Sequence, residues 1–550
     1  MKKFLAMALA LLMVAVLLPV TAMAETTTVN SPEDLKTALK NSATSITLGA
    51  DIDLTGTGGS EQVNVLHDTT IDLNGHTLNG SIWSGNYLCT ADGTRLTLVD
   101  SAGNGQIYSK FRFGDDRAMM QANAVTAWQH AVTINGGTYQ SNNVAIVCQV
   151  QNTNAAEGVI INGGTFKGSK DLSVESPVPA GGCVEAVIGT VTINGGTFEA
   201  AQYGSVIIAE SGDSNCDTVV NIYGGTFSGA CMFDFGEDHS SKSIVNVYGG
   251  DFTVKSPDGS ELKATQFAYD NYTHAALVNN DMFELNIMGG TFNINPAKYV
   301  AAGCPVTKNA DGKYVVGAKN ANHVNTAVAN TEVSIGKESM AEKGATETTL
   351  QVNETTSVTF DNAAMGTISN QAGNADYVTL EVKVGVEAPQ DVKTAYETAT
   401  KDTNANCVFT VDLVGIKNGE QTKLFTAPAA DGNTGTATVR FQYEKNAKDV
   451  KCYYLSGGNM VEINGDNFTY DSSTGMVTVK LNHFSTYVVT GNTSTGAGSI
   501  TIIVPDDTTD TTTTTETTKN PTTGMNDFVG AAVALAVISV IGAAAVVRKK

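Results

Sequence analysis

The chain has 550 residues and a formal net charge of −22, with 55 glycines and 11 prolines. This acidic excess works against nucleic-acid binding, because a protein that binds nucleic acid needs a basic surface to neutralise phosphates. A hydrophobic content of 42% excludes a collagen and a chain that is disordered throughout, and the length predicts more than one structural unit.

Residues 1–24 have the pattern of a secretory signal peptide. Lys2 and Lys3 precede an apolar stretch, and the segment ends in Ala22-Met23-Ala24, the small-x-small pattern that signal peptidase accepts. We therefore expect cleavage between Ala24 and Glu25, and export of the mature protein. Shortly afterwards, Ser31 with Asp34 three residues later predicts the start of a helix over Pro32 to Leu39.

One phrase recurs six times in the middle of the chain: VTINGGTY at 132–139, VIINGGTF at 159–166, VTINGGTF at 191–198, VNIYGGTF at 220–227, VNVYGGDF at 245–252 and LNIMGGTF at 285–292. The copies follow one another at intervals of 27, 32, 29, 25 and 40 residues. A period of this size is typical of a repeat architecture.

Each copy alternates apolar and polar residues, so it predicts a strand with one buried face. The first apolar position of each copy, the second apolar position and the aromatic position should each form an inward column, as in Val191, Ile193 and Phe198. The residues between them should face outward, and the Gly-Gly pair suits a corner because glycine tolerates positive φ.

Identical strands at this period stack if successive coils lie parallel, one strand spacing apart, which is a parallel β-helix. The phrases resemble the right-handed, pectate-lyase-like β-helix of many bacterial surface proteins. The resemblance covers about residues 27–305, so we expect a β-helical domain over 25–305 with the N-terminal helix as its cap.

The period disappears after Cys304. Short alternating strands, such as VTLEVKV at 378–384 and ATVRFQYE at 437–444, predict a smaller antiparallel β-sandwich-like domain over 306–490. The segment VKLNHFSTYVV resembles the closing strands of β-domains that lie beside wall anchors in clostridial surface proteins. This resemblance implies a spacer.

Residues 491–519 are rich in threonine and acidic residues and predict an extended stalk. The uncharged stretch 528–547 is long enough for a transmembrane helix, and Arg548-Lys549-Lys550 would remain cytoplasmic. With Asn520-Pro521-Thr522-Thr523-Gly524 ahead of it, the segment 520–550 resembles the sorting signal of sortase-anchored proteins of Gram-positive bacteria.

That resemblance implies cleavage between Thr523 and Gly524 and covalent attachment to peptidoglycan, with the membrane as a stage before sorting. The expected location is the extracellular face of the cell wall. Asn520 stands where the family more often has leucine, which leaves the sortase class open.

The cysteines have no spacing that suggests a zinc site. Cys148, Cys183 and Cys231 lie in apolar stretches, which favours buried free thiols. Cys407 with Cys452 is the one pair to consider as a disulfide.

Enzymes on the β-helix fold place carboxylates, or calcium and a basic residue, on one outer face. The weak candidates here are Glu210, Asp234, Glu237, Asp238 and His239. Glu210 and Glu237 could be neighbours on successive coils, as an acid and a base, and the same carboxylates could hold calcium, although no other cofactor is expected. No arginine occurs from 118 to 305, which weighs against lyase action on anionic uronates.

A binding face has the better signal. The outward position before the glycines is occupied by Asn194, Tyr223 and Tyr248 on three successive coils, and Asn221 and Asn246 lie two residues before the tyrosines. Aromatic rings beside amides suit a neutral sugar. We therefore expect a surface protein that binds a glycan or another surface ligand. The alternatives are a secreted polysaccharide lyase or glycoside hydrolase and a structural spacer without ligand, so enzymatic activity stays an open question.

Overall fold

The computed structural model describes residues 26–55, 62–86, 94–109, 123–141, 143–150, 158–168, 182–212, 216–239, 241–318, 332–336, 347–401, 407–426 and 435–492, with the backbone alone at 237–239. Most of these residues lie in strands. Outside them lie the predicted signal peptide at 1–24, nearly all of the predicted stalk, and the predicted sorting signal with the predicted transmembrane segment 528–547. Among the helices that are described, none has the length and apolar character that a membrane crossing requires.

The N-terminal part consists of short strands, in chain order β1 Thr27–Val29, β2 Ser45–Leu48, β3 Ile52–Asp53, β4 Gln62–Val65, β5 Thr69–Asp72, β6 Thr77–Asn79, β7 Ser81–Ser84, β8 Arg95–Val99, β9 Gln106–Ser109, β10 Val125–Trp128, β11 Ala131–Ile134, β12 Thr138–Ser141, β13 Val144–Gln149, β14 Val159–Ile161, β15 Thr165–Gly168, β16 Gly182–Ile193, β17 Thr197–Glu199, β18 Ser205–Ser211, β19 Thr218–Ile222, β20 Thr226–Gly229, β21 Cys231–His239, β22 Ser243–Val247, β23 Asp251–Val254, β24 Ala268–Asp270, β25 Ala275–Ala276, β26 Phe283–Ile287 and β27 Gly290–Phe292. Two helices accompany them, α1 Pro32–Lys40 and the single turn α2 Ala264–Phe267.

Apart from β25, which pairs antiparallel with β24, these strands form three parallel sheets that the chain visits in a fixed order. Sheet A contains β1, β2, β5, β8, β11, β14, the second half of β16, β19, β22 and β26. Sheet B contains β3, β6, β9, β12, β15, β17, β20, β23 and β27. Sheet C contains β4, β7, β10, β13, the first half of β16, β18, β21 and β24. Each passage through A, B and C, which we call a coil, pairs in parallel with the next, and this arrangement fits a β-helix.

The inward columns are confirmed. Ile134, Ile161, Ile193, Ile222, Val247 and Ile287 have no exposed surface and are paired in register along sheet A. The aromatic position of the repeat forms a continuous buried stack of Tyr139, Phe166, Phe198, Phe227, Phe252 and Phe292, with ring centroids 4.6–5.2 Å apart. The interior is therefore built from columns of similar side chains stacked on one another.

The predicted N-terminal helix is also confirmed, one residue longer than expected. Ser31 Oγ accepts a hydrogen bond from the Asp34 backbone N–H at 3.1 Å, and Asp34 Oδ2 accepts one from the Asn30 N–H at 3.2 Å. Leu35 and Ala38 are buried in the core that the sheets share, so the helix packs on the first coils.

The C-terminal part is antiparallel. Its strands are β28 Val306–Lys308, β29 Tyr314–Val316, β30 Glu332–Gly336, β31 Glu347–Gln351, β32 Ser357–Asp361, β33 Tyr377–Val384, β34 Cys407–Lys417, β35 Glu420–Leu424, β36 Ala437–Gln442, β37 Lys448–Ser456, β38 Asn459–Ile463, β39 Phe468–Asp471, β40 Met476–Leu481 and β41 Thr486–Asn492. Strands β28 and β29 add antiparallel pairs to the end of sheet B, and β28 pairs with β30, which pairs with β33. Val306 and Val316 still pack on the first core, beyond the expected boundary at 305, and the second core begins at Val333.

The second core lies between two antiparallel sheets, with one helix packed against it and a second helix packed on a smaller, separate cluster. One sheet contains β33, β34, β35, β37, β38 and β41, and the other β31, β32, β36, β39 and β40. The helices α3 Asn362–Ala372 and α4 Gln390–Thr400 were not predicted from the sequence. Their signals are present: Asp361 Oδ1 accepts from the Ala364 N–H at 2.8 Å as an N-cap, and Val392 with Tyr396 forms a buried face at helical spacing.

Cys407 and Cys452, the one pair to consider as a disulfide, are not bonded to each other. Both residues pair with Val489, one from each side of β41, so two strand spacings, or about 9.5 Å, separate their backbones. A disulfide needs Cα atoms within about 7 Å. Both are buried free thiols, and burial raises the pKa of Cys407 to about 12. Cys148 and Cys183 are buried free thiols as expected, whereas Cys231 is free and only half-buried.

The columns predict opposite outcomes for two adjacent substitutions in β16. Ile193→Asp places a carboxylate in the apolar column with no partner, which should cost several kcal/mol. Thr192→Asp places the same group on the outer face, where water solvates it. We expect a large fall in the melting temperature for the first variant and a small change for the second, measured by thermal unfolding of the full chain. Equal effects would contradict the inside and outside assignments.

Candidate functional site

The outer face of sheet A carries two adjacent columns of side chains. The position after each strand forms what we call the corner column: Asn135, Asn162, Asn194, Tyr223, Tyr248 and Met288. Two residues earlier lies the central column: Thr133, Ile160, Thr192, Asn221, Asn246 and Asn286. The parallel register aligns these positions, so neighbours within a column are one strand spacing apart.

Tyr223 and Tyr248 lie together on this face, as the sequence predicted. Their ring centroids are 4.7 Å apart and their planes differ by 7°, while 51% and 40% of their surfaces remain exposed. Each ring turns one face to the other ring. The other face of Tyr223 is directed along the column towards Asn194, and that of Tyr248 towards Met288.

The asparagines of the two columns form hydrogen-bonded ladders. In the corner column, Asn162 Nδ2 donates to Asn135 Oδ1 and Asn194 Nδ2 donates to Asn162 Oδ1, both at 2.8 Å. In the central column, Asn246 Nδ2 donates to Asn221 Oδ1 at 3.0 Å, and Asn286 Nδ2 donates to Asn246 Oδ1 at 3.2 Å. These bonds hold the amides in fixed orientations, so their remaining donors and acceptors are presented to solvent in a regular array.

The tyrosine and asparagine face is almost free of charge. Glu284 lies at its C-terminal edge, where its Oε1 accepts from Asn286 Nδ2 at 3.0 Å, and Arg95 lies at the other end, where Nη1 donates to Thr133 Oγ1 at 2.9 Å. In a chain with a net charge of −22, a neutral face of this kind suits a neutral ligand.

A second candidate site lies on the outer face of sheet C, where three carboxylates meet. Glu185 pairs with Ile208, which pairs with Asp234, and Glu210 follows two residues after Ile208. Asp234 is 3% exposed, and its Oδ2 accepts a hydrogen bond from Ser205 Oγ at 2.8 Å. Its other oxygen, Oδ1, is buried and has no hydrogen-bond partner among the described residues.

This environment disfavours ionisation. Burial, followed by the charges of Glu210 and Asp270, raises the pKa of Asp234 to about 7, against the lowering effect of the Ser205 hydrogen bond. Burial, followed by the charges of Glu210 and Asp234, raises the pKa of Glu185 to about 8. Two of the three carboxyl groups can therefore hold a proton near neutral pH, which is the property of a general acid.

The structure brings together only some of the residues that the sequence singled out. Glu210 and Asp234 belong to the cluster, whereas the side chains of Glu237, Asp238 and His239 lie outside the described atoms. Phe235 pairs with Ala209, and the next residue, Gly236, lies against Glu210. The register then shifts, so that Ser211 pairs with His239. Sequence reasoning missed Glu185, because sheet C has no repeated phrase and its register could not be read from the chain.

Two further findings concern metal binding and similarity to known proteins. Within the described ranges, no group of three or more histidine, cysteine or acidic side chains has the geometry to hold a metal ion. No family model, no curated protein and no solved structure matches this chain.

The raised pKa of Asp234 predicts a dependence of stability on pH. A carboxyl whose pKa is higher in the folded state than its ordinary value of 3.8 favours folding when protonated, so its contribution is lost as the pH rises from about 4 through 7. Asp234→Asn keeps an oxygen for Ser205 and removes the buried charge. We expect it to raise the melting temperature at pH 8 by several degrees and to change it little at pH 5.

Asp251→Asn is the matched control, because Asp251 is an exposed carboxylate on the outer face of sheet B. It should leave both melting temperatures nearly unchanged. If Asp234→Asn lowers stability equally at both pH values, the buried carboxyl is not protonated in the folded protein.

Proposed function

We propose that this chain is a sortase-anchored surface protein of a Gram-positive bacterium. Its right-handed parallel β-helix would present a glycan-binding face at Tyr223 and Tyr248. The observation that carries the binding proposal is the exposed tyrosine stack beside two amide ladders on an open, neutral face. The antiparallel sandwich-like part and the threonine-rich stalk would hold this face away from the wall.

The contacts support a sugar as ligand for a physical reason. The C–H groups of a sugar ring pack on an aromatic face, while its hydroxyls need donors and acceptors within reach of the same face. Here the asparagines are fixed by one another, so they lose little conformational entropy when a ligand binds. Such a rigid surface favours one orientation of the ligand.

The anchoring proposal depends on the sequence at the two ends of the chain. The segment ending at Ala24 would direct export, and the motif Asn520 to Gly524, the apolar stretch 528–547 and the basic tail would direct sorting. An exported protein held on peptidoglycan meets polysaccharides of its own wall and of its surroundings. This location is consistent with a glycan as the ligand.

Anchoring can be tested by fractionation of cells. Replacing Thr523 and Gly524 by alanine removes the bond that sortase would cleave, so we expect the protein to move from the peptidoglycan fraction to the membrane fraction. The measurement is release by muramidase digestion, followed by immunoblotting. If the variant is released as fully as the wild type, the sorting proposal fails.

Binding can be tested by removing the rings. The Tyr223→Ala, Tyr248→Ala double variant should remain folded, because outward rings contribute little to the core, and should lose glycan affinity by more than about tenfold, or roughly 1.4 kcal/mol. A glycan array on the full chain identifies the ligand, and calorimetry measures the affinity. Tyr203→Ala is the control, since Tyr203 is 73% exposed and lies in the turn between β17 and β18. Equal loss in the control would contradict a site at the stack.

The carboxylates of sheet C support a second candidate function, a glycoside hydrolase. Glu185 and Asp234 lie two coils apart on the same outer face, and glycoside hydrolases use a pair of carboxyl groups that flank the scissile bond. Their raised pKa values fit a general acid. The test is release of reducing ends from a polysaccharide. Loss of this activity in Glu185→Gln and Asp234→Asn, but not in the tyrosine double variant, would favour this function. If the chain neither binds a glycan nor releases reducing ends, a structural spacer remains as its function.

A further inference from the structure

The two amide ladders have the same direction. In every one of their hydrogen bonds, the Nδ2 of the later coil donates to the Oδ1 of the earlier coil. Each ladder therefore begins with an amide nitrogen that no ladder bond uses and ends with an amide oxygen that no ladder bond uses. The corner ladder ends at Asn194, and the central ladder begins at Asn221.

These two ladder ends lie on adjacent coils beside Tyr223. Asn221 pairs with Thr192 in sheet A, and Asn194 lies two residues after Thr192 on the same face. From the strand spacing and the rise per residue, the Cα atoms of Asn194 and Asn221 are about 8 Å apart. Among the described residues, neither Asn194 Oδ1 nor Asn221 Nδ2 has a hydrogen-bond partner. The junction thus combines one free acceptor, one free donor group and a half-exposed tyrosine ring.

We propose that this junction is a subsite for the acetamido group of an N-acetylated amino sugar. Asn221 Nδ2 donates to the acetamido carbonyl, Asn194 Oδ1 accepts from the acetamido N–H, and the ring of Tyr223 packs against the methyl group. The inference rests on the proposed glycan-binding function and names the class of sugar.

The chemistry of the junction selects against other common sugar substituents. A carboxylate offers only acceptors and would face the oxygen of Asn194 without a proton, and an ammonium offers only donors and would face the nitrogen of Asn221. A pair of hydroxyls can satisfy both amides but has no methyl group for the ring. The acetamido group alone supplies a donor, an acceptor and an apolar group in one plane.

The test compares two tetrasaccharides with the same β-1,4 linkage, tetra-N-acetylchitotetraose and cellotetraose, which differ in the acetamido group. Calorimetry on the full chain should give an affinity at least about tenfold higher for the first. Asn221→Asp keeps the oxygen that accepts from Asn246 and removes the donors, so it should abolish this preference. Asn221→Ile also removes the donors and should likewise abolish the preference. The column accommodates isoleucine, because Ile160 occupies the same position two coils earlier.

Asn135→Asp is the matched control. Asn135 is the first amide of the corner ladder, as Asn221 is of the central one, so the substitution adds the same charge and keeps the oxygen that accepts from Asn162. It lies three coils away in the neighbouring column, about 16 Å from Asn221, and should leave the preference intact.

The outcomes separate this inference from the proposed function. Equal affinity for the two tetrasaccharides, or equal loss in Asn135→Asp and Asn221→Asp, overturns the acetamido subsite, while binding that still needs Tyr223 and Tyr248 keeps the glycan face. If neither these tetrasaccharides nor any glycan of the array binds the wild type, the proposed function fails and the subsite with it.

Discussion

The structure of the N-terminal part depends on one constraint, the parallel in-register pairing of successive coils. Because each coil is displaced from the last by one strand spacing, side chains at paired positions lie that distance from their counterparts. The buried aromatic stack is a direct result, with centroids 4.6–4.8 Å apart from Phe198 to Phe292. The same constraint explains the glycine pairs: a Cβ on Gly249 would lie 2.6 Å from the carbonyl oxygen of Tyr223, and Gly250 has a φ of +116°.

On the outer faces, the same pairing stacks the outward residues of successive coils into columns. Two tyrosines become a stack because their spacing equals that of the buried rings. Asparagines become ladders because an amide carries both a donor and an acceptor and can bond to a copy of itself. Carboxylates have no such self-complementarity. Where sheet C buries Glu185 and Asp234 and places Glu210 near them, ionisation of these two carboxyl groups becomes unfavourable, and the cluster differs in chemistry from the neutral face of sheet A.

The sequence predicted the parts of the molecule that repeat. Alternation within the repeated phrase identified the inward columns and the outward Tyr223 and Tyr248, since a period of two has only one interpretation when one face must be buried. It did not identify the features that depend on strand pairing outside the repeated phrase. Glu185 lies in a strand without the phrase, and Cys407 and Cys452 are separated by a strand that only the topology reveals. The helices α3 and α4 were not predicted, because segments with strand-like alternation flank them on both sides. The direction of the ladders requires atomic positions, because composition and spacing do not specify which amide donates.

That common direction has an electrostatic consequence. Amide dipoles aligned head to tail along a column add, in the way that peptide dipoles add along an α-helix, so each ladder acquires a partial positive end and a partial negative end. The negative end of the corner ladder lies at Asn194, and the positive end of the central ladder lies at Asn221. Two side-chain macrodipoles thus meet with opposite poles adjacent, and a local electric field exists on a surface that carries no formal charge there.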